Sequence, residues 1–337
     1  AVVTRVGYDT ALRKLEDADE FNQNISGVTA EFAHGVDGWG EKTMNVESVV
    51  LPKNLTKLES TALSGFRKVK SITIPDGVKE ISAETFYGCK GLKEVKLPKS
   101  LTTFDNYTSF SACPKLSKVT LSKANKNFKL QKGLLLNKKG TKLIWAVPAK
   151  KKITVPDSVT SIADNALKAG KATSVYLGKK VKMIGKDAIA GKKITKVSIA
   201  KKNKSIAKQG QCVYEKKSGK LLIAIAKKNV VKIGNKVKLI SEDASLCGSR
   251  QLKKLDIGAS VKTLQGAWGE FYRAGYVTTT KVYFRSKNPP KLTQNNDKSY
   301  CYLPIFRDVY VPKASLKKYK KWYKKNDALQ FVKLKTF

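Results

Sequence analysis

The residue types that carry most enzymatic and metal chemistry are scarce in this sequence. His34 is the single histidine, so a multi-histidine metal site cannot form within one chain. The five cysteines are Cys89, Cys113, Cys212, Cys247 and Cys301. Their odd number and the lack of a CxxC pair argue against a zinc site and against a complete disulfide framework. We interpret His34, in the glycine-flanked segment AHGVDGWG, as a loop or cap residue.

Motifs for nucleotide or hydrolytic chemistry are also missing. The sequence contains neither GxxxxGK[ST] nor a strand-linked GxGxxG, and no nucleophile elbow stands near His34. The 26 carboxylates are scattered, with no pair placed for glycosidic chemistry. We therefore predict a protein that is not an enzyme and uses no metal or cofactor. Catalysis by a domain outside this sequence stays an alternative.

A short repeat organises the chain. Strand-like segments of alternating apolar residues end at Leu51, Ile74, Leu97 and Leu121, with spacings of 23, 23 and 24 residues. The series continues at Val155, Leu177, Ile199, Ile233, Ile257, Phe284 and Val311. One such unit cannot bury its apolar face alone, so a stack of neighbouring units must form the core.

A longer period lies over the short one. The segments 133–144 (GLLLNKKGTKLI) and 211–222 (QCVYEKKSGKLL) occupy two gaps of 34 residues and are offset by 78. Two apolar runs around a Lys- and Gly-rich turn are typical of a β-hairpin. We therefore predict one inserted hairpin in each gap.

Each unit can be interpreted residue by residue. In 92–97 (LKEVKL), period-two alternation points Val95 and Leu97 inward and Lys96 outward, and Pro98 then ends the strand. The chain returns on the far side with apolar residues, among which Cys89 and Cys113 take the same place in successive units. A small thiol that recurs at one repeat position is predicted to be a core residue rather than a redox or metal group.

The charge is large and uneven. The net charge is +41, and 60 of the 67 basic residues are lysines. Residues 1–47 carry four basic and nine acidic side chains, so the rest of the chain holds 63 basic and 17 acidic ones. A field of this sign attracts anionic polymers and surfaces, but readers of nucleic-acid sequence favour arginine. A solvated lysine coat and the binding of a polyanion both remain open.

The repeat resembles a known family. Segment 72–92 (ITIPDGVKEISAETFYGCKGL) is similar to the BspA-type leucine-rich repeat, 133–148 resembles an insertion common in that family, and 309–325 resembles its closing strand and capping helix. The resemblance covers about residues 46–325. It implies a bacterial surface or secreted protein concerned with adhesion or with binding host proteins, and it implies no catalytic residues.

The predicted fold is an α+β repeat: a leucine-rich-repeat solenoid with short parallel strands on one face, short helices or turns on the other, and two inserted hairpins. We divide it into an acidic N-terminal cap over 1–46 with a helix near 9–21, a solenoid over 47–312, and a helical C-terminal cap over 313–337. The Lys-rich helix of the last segment is also compatible with a membrane surface, although its place after the last strand favours a cap.

A partner would meet the outward strand residues. The candidate ligand-binding residues are Thr73, Lys96, Thr120, Tyr176, Ser198, Lys254, Asp256, Tyr283 and Tyr310. Tyrosines among lysines on a rigid ladder are typical of a recognition surface. The alternative is that aromatic residues favour strands and pair across them.

Two functions follow from these patterns. The first is a non-enzymatic adhesion or protein-binding module, extracellular or on the bacterial surface, whose outward strand face binds a host or cell-surface protein. The second is an electrostatic binder of anionic polymers such as teichoic acid, acidic glycans or nucleic acid. We expect a monomer. We also expect no membrane insertion, since no apolar run approaches the ~18 residues of a membrane span.

Overall fold

The computed structural model describes residues 5–6, 48–51, 53–58, 60, 62–106, 108–168, 170–191, 193–249, 251–266, 280–293, 308–326 and 332–337. The helix predicted near 9–21, His34 and Cys301 lie outside these ranges. The chain forms two compact units. The N-terminal unit comprises Ala1–Lys151 and Asp164–Ala172, and the C-terminal unit comprises Lys152–Ala163 and Thr173–Phe337.

Ten short strands are described in the N-terminal unit. They are β1 (Arg5–Val6), β2 (Lys57–Leu58), β3 (Ser71–Thr73), β4 (Glu80–Ile81), β5 (Glu94–Leu97), β6 (Thr103–Phe104), β7 (Lys118–Leu121), β8 (Phe128–Gln131), β9 (Leu134–Asn137) and β10 (Lys142–Ala146). Strands β3, β5 and β7 form a parallel sheet, and β1, β2, β4 and β6 form a second one. Strand β9 pairs antiparallel with both β8 and β10.

The C-terminal unit repeats this organisation. Its strands are β11 (Lys152–Thr154), β12 (Ser161–Ile162), β13 (Ser174–Leu177), β14 (Met183–Ile184), β15 (Lys196–Ile199), β16 (Ile206–Gln209), β17 (Cys212–Glu215), β18 (Leu221–Ile225), β19 (Val230–Ile233), β20 (Leu239–Ser241), β21 (Ser245–Cys247), β22 (Lys254–Ile257), β23 (Thr263–Gln265), β24 (Lys281–Phe284), β25 (Lys291–Thr293), β26 (Asp308–Val311) and β27 (Lys333–Thr336). A 3₁₀ turn at Lys313–Ser315 leads into the helix α1 (Leu316–Lys325).

The C-terminal unit holds three parallel sheets. Strands β11, β13 and β15 form one, β19, β22, β24, β26 and β27 form the largest, and β20, β23 and β25 form the third. Strands β16, β17 and β18 are antiparallel, and β21 adds to β18 in parallel. This order is that of a β-solenoid, in which each turn contributes one strand per face.

Period-two alternation places the core as predicted. Val95 and Leu97 are buried while Lys96 between them is exposed, because successive side chains of a strand point to opposite faces. The residues that return on the far side, such as Phe66 and Phe86, are also buried, and the ring of Phe86 stacks on Phe110 of the next turn at 4.8 Å between centroids. Like residues at one repeat position therefore build a continuous core within the unit.

The segments by which each repeat unit returns, opposite the parallel strands, differ from the α+β prediction. Within the described ranges they are turns and strands of two or three residues, and the one α-helix is α1. The turns are too short for the hydrogen-bonded ladder that a helix requires. The α+β assignment is therefore not confirmed, and the description of the two insertions as hairpins stays a prediction.

The C-terminal segment contains more than the helix. Tyr319 and Tyr323 of α1 are buried, and they pack on the core of the C-terminal unit with Phe284. Strand β27 then pairs in parallel with β26, which sequence analysis did not predict. The role of 313–337 as a cap, like the other domain boundaries, stays a prediction.

Candidate ligand-binding surface

The structure distributes the nine candidate residues over three parallel sheets. In the N-terminal unit Thr73, Lys96 and Thr120 lie opposite one another on β3, β5 and β7, and all three are exposed. In the C-terminal unit Tyr176, 39% exposed, lies opposite Ser198 on β13 and β15.

The remaining four candidates share the largest sheet. Asp256, Tyr283 and Tyr310 lie opposite one another on β22, β24 and β26, and Lys254 lies two residues before Asp256 on the same face. This sheet holds four of the nine candidate residues, more than either of the two other sheets. The four side chains also contact one another.

The two tyrosines form a stacked pair. The ring centroids of Tyr283 and Tyr310 are 4.4 Å apart and the ring planes differ by 8°. Neighbouring parallel strands lie ~4.8 Å apart, so equal rotamers at opposed positions bring the rings into contact. Such pairs contribute roughly 0.5–1.5 kcal/mol beyond the area that they bury.

Lysines cover the two outer faces of this stack. The Lys254 Nζ lies 4.1 Å from the centroid of the Tyr283 ring, and the Lys335 Nζ lies 5.5 Å from that of Tyr310. Both distances are within the range of a cation–π interaction. Because the outer ring faces are covered by lysines, both tyrosines are half-buried.

Arg285 and Asp256 form an ion pair beside the tyrosine stack. The Arg285 Nε and a terminal guanidinium nitrogen each donate to Asp256, at 2.7 Å to Oδ1 and 2.7 Å to Oδ2. This bidentate hydrogen bond raises the pKa of the Arg285 guanidinium. The guanidinium carbon also lies 4.5 Å from the centroid of the Phe337 ring. The planar guanidinium group is thus held by the carboxylate of Asp256 and by the ring of Phe337, which restricts the side-chain conformation of Arg285.

A second ion pair closes the cluster. The Lys335 Nζ lies 2.8 Å from Asp308 Oδ1, and the hydrogen bond with Asp308 raises the pKa of the Lys335 ammonium. Together these groups form what we call the aromatic–cationic patch. Its members are Lys254, Asp256, Tyr283, Arg285, Asp308, Tyr310, Lys335 and Phe337. Every charged member has an oppositely charged partner in the patch.

Sequence analysis missed four members of the patch. Arg285 follows β24 directly and Asp308 is the first residue of β26, while Lys335 and Phe337 come from β27 and the residue after it. The alternation in 333–336 (KLKT) was the available signal for this last strand. Its register with β26 places Lys335 opposite Tyr310.

The cysteines offer no reactive thiol in the described ranges. Cys89, Cys113, Cys212 and Cys247 are buried, which confirms the predicted core role of Cys89 and Cys113. The hydrogen bond between the thiols of Cys89 and Cys113 and burial raise the pKa of Cys89, and burial raises that of Cys212. Since the thiolate is the nucleophile and the metal ligand, these shifts oppose both roles.

Two further observations concern the described residues. They contain no group of three or more His, Cys, Asp or Glu side chains placed to hold a metal ion. Nor does any helix among them have the length and apolar character needed to cross a membrane.

The parallel strands on one face, the turns on the other and the stacked core define a leucine-rich-repeat solenoid. The profile of the BspA type leucine-rich repeat region matches residues 41–132 and 149–268, in six copies. These ranges make up more than half of the chain, so the protein belongs to this family. No curated protein sequence matches the chain.

Three bacterial proteins of solved structure are similar to the chain. A leucine-rich repeat protein from Eubacterium ventriosum is 18% identical, with a TM-score of 0.37 over 78% of this chain and 70% of that one. The pneumococcal vaccine antigen PcpA is 17% identical, with a TM-score of 0.32 over 84% and 85% of the two chains. A leucine rich cell surface protein from Faecalibacterium prausnitzii is 14% identical, with a TM-score of 0.32 over 80% and 86%.

Proposed function

We propose that this protein is a non-enzymatic adhesion module, secreted or on the bacterial surface, that binds a host or cell-surface protein through the aromatic–cationic patch. The observation that carries the proposal is the Tyr283–Tyr310 stack with a lysine on each outer face. Membership of the BspA-type family supports the surface location. Tyr176 and Ser198, which belong to the same unit as the patch, extend the proposed contact surface.

The patch suits a protein partner for two physical reasons. Tyrosine and arginine are the residue types that dominate the binding energy of protein interfaces. Here their conformations are already set by stacking and by the bidentate bond of Arg285 to Asp256, so little side-chain entropy is lost on binding. The hydroxyls of the two half-buried tyrosines are the groups that we expect to donate and accept hydrogen bonds in the contact.

The partner class can be tested with labelled chain and mammalian epithelial cells. The chain is added to intact cells and to cells whose surface proteins have been removed with trypsin, at physiological and raised ionic strength. We expect binding to intact cells that is lost on the trypsin-treated cells and that persists at the raised ionic strength. Unchanged binding to trypsin-treated cells would contradict a protein partner.

A second candidate function is the electrostatic binding of an anionic polymer. It is favoured by the net charge of +41, which is concentrated in exposed lysines such as Lys93 and Lys115. Binding of this kind releases counterions and so weakens steeply as salt increases. Retention of a purified anionic polymer at raised ionic strength would count against it.

A further inference from the structure

Five basic side chains from three successive turns surround one cavity in the N-terminal unit. The cavity has a volume of about 380 Å³ and is lined by Arg67, Lys68, Lys70, Gly91, Lys93 and Lys115. It lies away from the outward strand residues, in the turns that precede β3, β5 and β7. No carboxylate is among the described residues that line it.

The repeat explains why these residues meet. Ser71, Glu94 and Lys118 lie opposite one another at the starts of β3, β5 and β7. The residues three positions earlier, Lys68, Gly91 and Lys115, therefore occupy one column of the stack. Lys70 and Lys93 form the adjacent column, since the Lys93 amide donates to the Lys70 carbonyl at 2.8 Å.

Gly91 stands between the two lysines of its column, where the neighbouring turn leaves no room for a side chain. A Cβ at this position would lie 2.2 Å from the carbonyl oxygen of Arg67, so the close approach of the two turns excludes any side chain. The column therefore carries no side chain between Lys68 and Lys115, and Gly91 lines the cavity with backbone. The cavity is therefore lined by cationic side chains and by backbone atoms.

Four of the five basic side chains of this cavity have no acidic partner among the described residues. Within the described ranges Arg67, Lys70, Lys93 and Lys115 have no ion pair with a carboxylate, and the four lysines at the rim are exposed. A concave site lined by one sign of charge concentrates the field inside it. An anion that enters relieves the repulsion among the cations and receives several N–H donors, three from each ammonium.

We infer that this cavity binds a segment of a linear glycan or polyol chain that carries sulfate or phosphate groups. Lys70 and Lys93 stand one turn apart, ~4.8 Å, and Lys68 and Lys115 stand two turns apart. Cations spread over three turns match a chain with several anionic groups better than a single small ion. Its volume is also in the range of sites that hold a drug-sized ligand. The inference rests on the second proposed function and assigns it a site.

The experiment compares two triple variants of the full chain. K70Q/K93Q/K115Q removes three charges from the cavity. K79Q/K126Q/K139Q removes three charges from exposed lysines of the same unit outside the cavity, so that the net charge of the two variants is equal. The probes are a heparin octasaccharide, which carries sulfate, and a glycerol-phosphate oligomer, which carries phosphate, each titrated by calorimetry at low and physiological ionic strength.

The cavity triple should weaken binding of at least one probe by about tenfold or more and lower the salt dependence by about one unit of slope per lysine. The control triple should weaken it by less than about threefold, through the long-range field alone. The probe that binds shows whether the cavity recognises sulfate or phosphate groups. Equal losses in both triples would overturn the cavity but leave the second function standing, whereas no binding of either probe to the unmodified chain would overturn both.

Discussion

Asn203 repeats the hydrogen bonds of Asn125 at a distance of 78 residues along the chain. In each case the side-chain Nδ2 donates to two carbonyl oxygens of the preceding turn, and Oδ1 accepts from the backbone amides two and three residues ahead. The carbonyl of each asparagine also accepts from a lysine Nζ, Lys138 or Lys216. Both asparagines are buried, so each joins two turns with every side-chain hydrogen bond satisfied.

We expect N125A and N203A to be strongly destabilising. Each leaves two amides and two carbonyls buried without their partner, which costs roughly 2–4 kcal/mol in the free energy of unfolding. Urea denaturation measures the loss. The exposed Asn54 is the control, because N54A should change the free energy by less than ~0.5 kcal/mol. Equal, small effects in all three variants would contradict the structural role.

A pair of glycines tests the close approach of neighbouring turns. G91A places a Cβ 2.2 Å from the Arg67 carbonyl oxygen, and overpacking against backbone should cost about 2 kcal/mol or more. At Gly170 the nearest atom would be the Pro148 carbonyl oxygen at 3.5 Å, so G170A should be tolerated or slightly stabilising. Thermal unfolding measures the stability of both variants. An unchanged melting temperature in G91A would contradict the close packing of the two turns.

The two buried tyrosines of α1 should respond oppositely to loss of the hydroxyl. The Tyr319 hydroxyl donates to the Ser286 carbonyl at 3.1 Å, so Y319F should lower the free energy of unfolding by about 1 kcal/mol. Within the described residues the Tyr323 hydroxyl has no hydrogen-bond partner. Y323F should therefore be neutral or stabilising, by up to ~1 kcal/mol. A clear loss of stability in Y323F would show that this hydroxyl is satisfied.

The same tyrosines predict alkaline sensitivity. Burial raises the pKa of Tyr319, and burial together with the charge of Tyr319 raises that of Tyr323. In the unfolded chain both ionise near pH ~10, so above that pH the unfolded state releases protons that the folded state retains. The free energy of unfolding is unaffected below this value and falls above it, by up to ~1.4 kcal/mol per pH unit for each tyrosine. The double variant Y319F/Y323F should show a flatter decline, whereas an unchanged slope would exclude the tyrosines as its cause.

Arg285 should matter for binding more than for folding. R285K keeps the charge but loses the two parallel hydrogen bonds to Asp256. Because the Arg285 side chain is 37% exposed, the free energy of unfolding should change by less than ~1 kcal/mol. Binding of labelled chain to epithelial cells should fall clearly. K139R is the control, since it exchanges the same two residue types at an exposed position outside the patch and outside the basic cavity, and an equal effect of the two substitutions would speak against the patch.

The repeat made much of the fold predictable. Period-two alternation reports which side chains point inward, so the burial of Val95 and the exposure of Lys96 follow from residue type alone. The same holds for Cys89 and Cys113, because an equal position in successive turns meets an equal environment. The turns of the far side were harder, since their apolar spacing is compatible with a short helix as well as with a tight turn.

The details of the patch depend on contacts that no local pattern encodes. Arg285 reaches Asp256 29 residues earlier, which requires both the register of β22 with β24 and the rotamers of both side chains. Lys335 reaches Tyr310 only because β27 returns to the sheet after α1. Sequence analysis identified the tyrosines by their outward position but had no means of finding the cations that cover them.

The central claim is that the Tyr283–Tyr310 stack forms the contact with a protein partner. Its most direct test is the dissociation constant of labelled Y283A/Y310A on epithelial cells, beside that of Y87A, which removes a tyrosine that is 44% exposed on the far side of the N-terminal unit. We predict that Y283A/Y310A weakens binding by at least about tenfold, while Y87A binds as the unmodified chain does and both variants retain its thermal stability within a few degrees. Equal binding by all three folded proteins would contradict the claim.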